Sequence, residues 1–222
     1  MRRVILNFHG LGTPARPLEP GEAPYWVSPE FFADTLALVQ RLKPHVETHI
    51  TFDDGNLSDL EIAAPLLAEH GMQARFFVLS ARIGQPGSLS ADDIRALQGA
   101  GHLIGSHGAG HIDWKGLDAP GQIREYDTAR AEIAAVTGAP VTEAAIPFGR
   151  YNRAVLSALA ARGYTRVYSS DGGDWRRDTA PIPRTSPRAD MTLGDIETVL
   201  LGREGLKRRL RRGLARAVKR RL

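Results

Sequence analysis

The run His49-Ile50-Thr51-Phe52-Asp53-Asp54-Gly55 constrains this chain more than any other stretch. An apolar, β-branched segment ends abruptly in two adjacent carboxylates and a glycine. That is the pattern of a buried strand delivering acids to the mouth of a cleft. Other segments repeat the theme. Val4 to Phe8 reads as a strand ending at His9-Gly10, Ala74 to Leu79 as a strand rich in Phe and Val, and Leu103 to Ser106 as a short strand running into His107. Thr142 to Ile146 ends in Pro147-Phe148-Gly149, and Tyr164 to Ser169 leads to Asp171. Helical stretches alternate with these strands. Ser28-Pro29-Glu30 opens one, Ser58 to His70 stops at Gly71, and Ser90 caps a third that ends near Gly101. Gly121 to Thr137 is closed by Gly138, and Asn152 to Arg162 by Gly163. The alternation implies an α/β fold with a mostly parallel sheet, its chemistry gathered beyond the strand ends. Spacing alone does not separate a barrel from an open doubly wound sheet.

A second stretch, Gly105-Ser106-His107-Gly108-Ala109-Gly110-His111, offers two imidazoles four residues apart. On one helical turn they would share a face and could share an ion. With a carboxylate from Asp53-Asp54 they make up three protein ligands, the number a catalytic zinc site uses beside one open position. The chain has no cysteine, so thiolate sites and disulfides are excluded and any metal must use His and carboxylate. Adjacent strand residues point to opposite faces, so one acid can bind the ion and the other handle a proton.

These residues resemble the polysaccharide deacetylase family of carbohydrate esterases. Thr51-Phe52-Asp53-Asp54-Gly55 matches its first motif letter for letter, and His107 to His111 matches the His-x-x-x-His frame of its second, with Gly108 where Ser or Thr usually stands. The resemblance runs from about His9 to about Arg188. It implies a distorted (β/α)7-type barrel of mostly parallel strands. It also implies a metal-dependent hydrolase that removes the acetyl group from an N-acetylated sugar or polysaccharide precursor. By the same resemblance Asp54, His107 and His111 hold Zn²⁺ (Co²⁺ and Ni²⁺ suit the same donors), Asp53 is the general base, and the backbone N–H of Phe148 receives the oxyanion.

The family's third motif, often Arg-Pro-Pro-Tyr-Gly, is altered here to Ala145-Ile146-Pro147-Phe148-Gly149. Its missing Arg would have oriented the base; Arg184 is expected to reach in from the next strand instead, with Arg150 as competitor. No histidine follows His111, so the family's late acid histidine is absent. His9 is the best substitute, as in circularly permuted family members with an N-terminal acid histidine. Asp171-Gly172-Gly173-Asp174-Trp175 fits an Asp-x-x-Asp-Trp motif that would orient the acid and wall the pocket. Substrate contacts are expected from Trp114, Trp175, Pro147 and Asp171. Two competing readings are a hydrolase of a non-sugar amide or imide, and an inactive carbohydrate-binding protein, which the altered third motif and absent late histidine would suit.

At 222 residues the chain fits one catalytic domain, residues 1–201, followed by a basic amphipathic helical tail, residues 202–222. The tail carries ten Lys or Arg against one acid, net +9, whereas the rest is net −5. Leu206, Leu210, Leu214 and Val218 form a narrow apolar stripe on it, the pattern either of a helix touching an anionic membrane surface or of one docked by that stripe onto the barrel. No nucleic-acid partner is expected, because no aromatic interleaving or recognition motif accompanies the charge. The first ten residues lack the long apolar region of a signal peptide, so the expectation is a cytoplasmic protein, peripheral at the inner membrane face. In that location a nucleotide-linked or lipid-linked precursor is favoured over a finished wall polymer.

Overall fold

Period-2 alternation sorts the strand residues between two layers. In β1 (Arg2–Phe8), Val4, Leu6 and Phe8 join the apolar layer under the helices, while Ile5 packs in a separate inner cluster. The same parity holds across the sheet of this computed structural model, which describes residues 1–175 and 180–221. A short parallel pair, β2 (Gly10–Leu11) and β3 (Trp26–Val27), stands apart from that sheet. The sheet itself continues through β4 (Val46–Asp54), β5 (Ala74–Val78), β6 (Leu103–Ser106), β7 (Glu143–Ala145), β8 (Arg166–Ser169) and β9 (Ile182–Pro183). In β4 and β5, Ile50, Phe52, Phe76 and Val78 face the helices, whereas Phe77 turns inward beside Ala145, Tyr168 and Ile182.

The seven described strands of this sheet run parallel in the order β1-β4-β5-β6-β7-β8-β9. Residues just past β9 then return to β1. The Asn7 N–H donates to the Thr185 carbonyl at 2.9 Å, and the Thr185 N–H donates to the Ile5 carbonyl at 2.9 Å. The sheet is thus a nearly closed, distorted (β/α)7-type barrel, with the strand ends delivering their loops to one rim.

The helical layer comprises α1 (Pro29–Leu42), α2 (Ala64–Glu69), α3 (Ala91–Gly99), α4 (Ala119–Gln122), α5 (Ala129–Thr137), α6 (Arg153–Ala161), α7 (Leu193–Leu201) and α8 (Leu206–Arg221). Its termini are set by local chemistry. Ser28 accepts the Phe31 N–H and Pro29 takes the first helical position, while Ser90 and Asp93 cap each other reciprocally at α3. The stretches expected as uninterrupted helices over 58–70 and 121–137 each carry a wider π turn, Asp59–Ala63 and Ile123–Thr128. Each wide turn buries a carboxylate, Asp59 in one and Glu125 in the other.

Phe32 of α1 meets Phe8 edge-on at 4.8 Å between ring centres and Phe52 at 5.5 Å, and Phe52 stacks on Phe76 at 4.9 Å. This aromatic column pins β4, and with it the two acids, against the helical layer. Replacing Phe32, which is fully buried, with Ala should destabilise the fold by about 3–5 kcal/mol in urea titration, the usual cost of emptying a phenylalanine site.

Candidate active site

Asp53 is the penultimate residue of β4, on the inward parity, and it is 2% exposed. Arg184 grips it with two parallel bonds, Nη1 to Oδ1 and Nη2 to Oδ2, each 2.7 Å. Asn7 of β1 donates to Oδ2 at 3.0 Å and accepts from Arg184 Nη1 at 2.7 Å. The guanidinium itself is fully buried, lying 5.3 Å from the Phe77 ring centre and 5.8 Å from that of Tyr168. Burial works to raise the Asp53 pKa, but the Arg184 charge, with His107 behind it, outweighs burial and holds the carboxyl well below its usual range.

Strict alternation would send the next residue, Asp54, to the other face. Its backbone instead adopts a left-handed φ of +79°, followed by Gly55 at +68°, and the carboxylate swings back into the same cleft. There it lies 3.5 Å from His107 Nε2 and 3.6 Å from His111 Nε2. Neither Asp54 oxygen has a hydrogen-bond partner although the residue is 1% exposed. A buried carboxylate left without donors is costly unless a cation completes it. Ligands about 2.1 Å from a tetrahedral ion stand about 3.4 Å apart, so this trio fits a divalent cation well.

Both imidazoles are oriented by their other nitrogen. His107 Nδ1 contacts the Ala145 carbonyl at 2.8 Å, and His111 Nδ1 contacts the Glu19 carboxylate at 2.6 Å, leaving each Nε2 toward Asp54. Burial is the strongest influence on His107 and lowers its pKa against the pull of Asp53 and Asp54, a shift that favours the neutral imidazole. The stretch between the two histidines is a loop, not the helical turn expected from their spacing, and His111 has a φ of +52°. Glu125, from the wide turn before α5, holds this loop: its carboxylate accepts the N–H groups of Ala109 at 2.8 Å and Gly110 at 3.1 Å. Gly108, at φ +86°, leaves that space open, for a Cβ there would collide with the Glu125 carboxylate and press on Trp114 at 3.0 Å.

His9 and Phe148 line the same cleft, with Tyr25 at 4.9 Å from the His9 ring. Phe148 stands in the turn after β7 with a φ of 58°, its ring 4.4 Å from His111. Among the described residues, the non-glycine positions with left-handed backbone are Asp54, His111 and Phe148, and all three line this cleft. Such strain concentrates where a surrounding structure is organised for chemistry.

The polysaccharide deacetylase family model matches residues 43–167, more than half of the chain. The chain belongs to the polysaccharide deacetylase family. YxkH of Bacillus subtilis, provisionally named a polysaccharide deacetylase, is 30% identical over 145 residues, spanning 65% of this chain and 52% of that protein. A chitin deacetylase of Pestalotiopsis is 30% identical over 134 residues, 60% of this chain and 45% of its own. The chain therefore spans about half the length of these curated relatives. In structure it resembles the deacetylase PplD of Streptococcus pyogenes, with a TM-score of 0.76 at 17% identity, over 90% of this chain and 98% of that one. IcaB of Ammonifex degensii is similar, with a TM-score of 0.76 at 18% identity, over 90% and 97% of the two chains. At these identities the likeness speaks for the deacetylase fold.

The cleft gathers Asp53, Asp54, His107, His111, His9 and Phe148, with Arg184 directly behind Asp53. Other expected contacts lie elsewhere. Trp114 is 1% exposed beneath the histidine loop, where its indole N–H donates to Glu125 at 3.3 Å, so it supports the loop and does not wall the pocket. Trp175 is at the opposite mouth of the barrel, beside Arg3, Glu47 and His49 at the beginnings of β1 and β4. Its backbone N–H donates to the Arg3 carbonyl at 2.9 Å, which ties the segment after β8 to the wrong end for substrate. The Asp171 carboxylate is taken up by Tyr151, Ser169 and Lys219 at 2.7–2.9 Å and does not orient His9. Pro147 is buried behind Phe148, and Arg150 pairs with Asp113 at 3.5 Å rather than with Asp53. The flat aromatic walls of the cleft are Tyr25 and Phe148.

Sequence reading missed Asn7, Glu19 and Glu125. Asn7 carried a signal, a polar residue on the inward parity of an apolar strand. Glu125 did too, since it sits one and two helical repeats before the buried Ala129 and Ile133. Glu19 lies in a Pro- and Gly-rich loop with no periodicity to place it.

Two outcomes follow from the charges. Arg184→Met leaves Asp53 buried without its cation and should cost about 3–5 kcal/mol in urea titration, with part of the loss recovered when Asp53 is also replaced by Asn. The metal-free protein should lose stability as pH falls below 6.5, because His107 and His102 have depressed pKa values in the fold and the unfolded chain protonates first. The Asp53 contribution, present above 3.8, adds its loss only in stronger acid. Urea midpoints measured on descending pH give the test.

Proposed function

We propose that this protein is a metal-dependent N-deacetylase that hydrolyses the acetamide of an N-acetylated sugar in a glycan. One observation carries the reading: a buried carboxylate with two unpartnered oxygens faces two imidazole Nε2 atoms at tetrahedral spacing, beside a second, separately anchored carboxylate. Asp54, His107 and His111 would hold the cation, and Zn²⁺ suits a His-His-Asp set, as do Co²⁺ and Ni²⁺. When bound, such an ion polarises a carbonyl and acidifies water.

The chain's own groups supply the remaining steps. Asp53 takes the proton of the attacking water, and the two bonds from Arg184 with the one from Asn7 fix its carboxylate plane for that transfer. Negative charge builds on the former acetyl oxygen, where the Phe148 N–H serves as donor. As the C–N bond breaks, the nitrogen needs a proton, and the His9 imidazole on the cleft wall gives it. Acetate and the free amino sugar leave. Tyr25 and Phe148 offer flat apolar faces for the sugar ring. The cleft volume is ≈ 260 Å³, near the lower end of ligand pockets at about 300 Å³. That size suits one enclosed residue, with the rest of a longer glycan outside.

Asp53→Asn should cut acetate release from an N-acetylated oligosaccharide by about 10²- to 10⁴-fold while metal per chain, read by elemental analysis, stays unchanged. Asp54→Ala should lose both. His9→Ala should lower kcat more than it raises KM. Wild-type turnover in the Asp53→Asn enzyme, or in protein stripped of metal, would refute the reading.

A further inference from the structure

An amphipathic helix on a protein surface ordinarily hides its apolar stripe and shows its charges. α8 does the reverse. Its barrel-facing side is cationic. Lys219 Nζ donates to the Asp171 carboxylate at 2.7 Å and to the Gly149 carbonyl at 2.8 Å. Arg212 bonds Glu204 at 2.7 Å and lies over Gly172 and Gly173, while Arg216 is half-buried between them. The opposite side carries the apolar row, with Leu206 69%, Leu210 64%, Leu214 69% and Val218 48% exposed. At about 1.5 Å per residue this row is about 18 Å long. Exposed Lys207 and Arg211 border it on one flank, and exposed Arg209 and Arg221 on the other, by the periodicity of about 3.6 residues per turn.

We propose that this outward face of α8 docks on an anionic lipid bilayer, the leucine row entering the acyl boundary and the flanking cations meeting the headgroups. Charge selects this occupant. The segment from Gly205 to the C-terminus holds nine Lys or Arg and no acid, so a second copy packed row against row would set cation against cation. An anionic surface meets both flanks at once, and the apolar row is covered in the same contact. Among the described residues no helix is long and apolar enough to cross a membrane, so the contact lies in the plane of the surface. The barrel is carried along, because Lys219 holds the carbonyl of the residue next to Phe148. The bilayer would then lie at the margin of the cleft.

The test uses the full chain and sedimentation with vesicles of phosphatidylcholine, with or without phosphatidylglycerol. Binding is expected only to the anionic vesicles, weakening as salt is raised. Leu210→Gln with Leu214→Gln keeps helix propensity and should weaken partitioning by about tenfold or more, with the thermal midpoint unchanged. Failure to bind anionic vesicles at low salt overturns the proposal. So does unchanged binding by the double variant, which would reduce the effect to charge adhesion. A concentration-dependent dimer that the double variant abolishes, without vesicle binding, would assign the row to self-association and overturn it as well.

Discussion

The ion pair between Asp53 and Arg184 is the constraint on which the rest of the architecture turns. Removing a carboxylate and a guanidinium from water costs several kcal/mol for each ion, and their attraction returns this only when the geometry is tight and every remaining donor is met. Here it is tight. The two bonds are parallel and equal in length, Asn7 bridges both partners, and aromatic faces close the space around the guanidinium. The participants come from opposite edges of the sheet order, Asn7 from the first strand and Arg184 from just beyond the last. They meet because the backbone at Thr185 bonds to β1. Closure of the barrel and orientation of the acid are therefore one event.

Around that rigid centre the rim is made of backbone that L-residues seldom adopt. Asp54, His111 and Phe148 each hold a left-handed conformation, at a cost of about 1–3 kcal/mol apiece. Separate clamps keep them there. Glu19 takes His111, and Glu125 gathers the amides between the histidines. Lys219 from the final helix takes the carbonyl after Phe148. Stability supplied by the aromatic column and barrel core is spent on positions where the side chains must converge.

Much of this is legible in the sequence. Strand–helix alternation gave the α/β order, and residues following strands came together because parallel strands share one exit. Arg184 was traceable through a gap, since a third motif without its arginine demanded a cation from elsewhere. The failures have physical causes too. A spacing of four suggested a helical turn at His107, but three glycines in seven residues favour a loop. Tryptophans near motifs looked like sugar platforms, yet proximity in sequence says nothing about which mouth of a barrel a residue faces, and Trp175 went to the other one. Periodicity in the tail revealed two faces without revealing which would meet the protein.

Gly108 and Glu125 are coupled through shared space. A side chain added at Gly108 alone would run into a carboxylate already bonded to the loop, and shortening Glu125 alone would strip the loop of its acceptor. A substitution at either position is therefore felt at the other, and the two behave as one unit of the histidine loop.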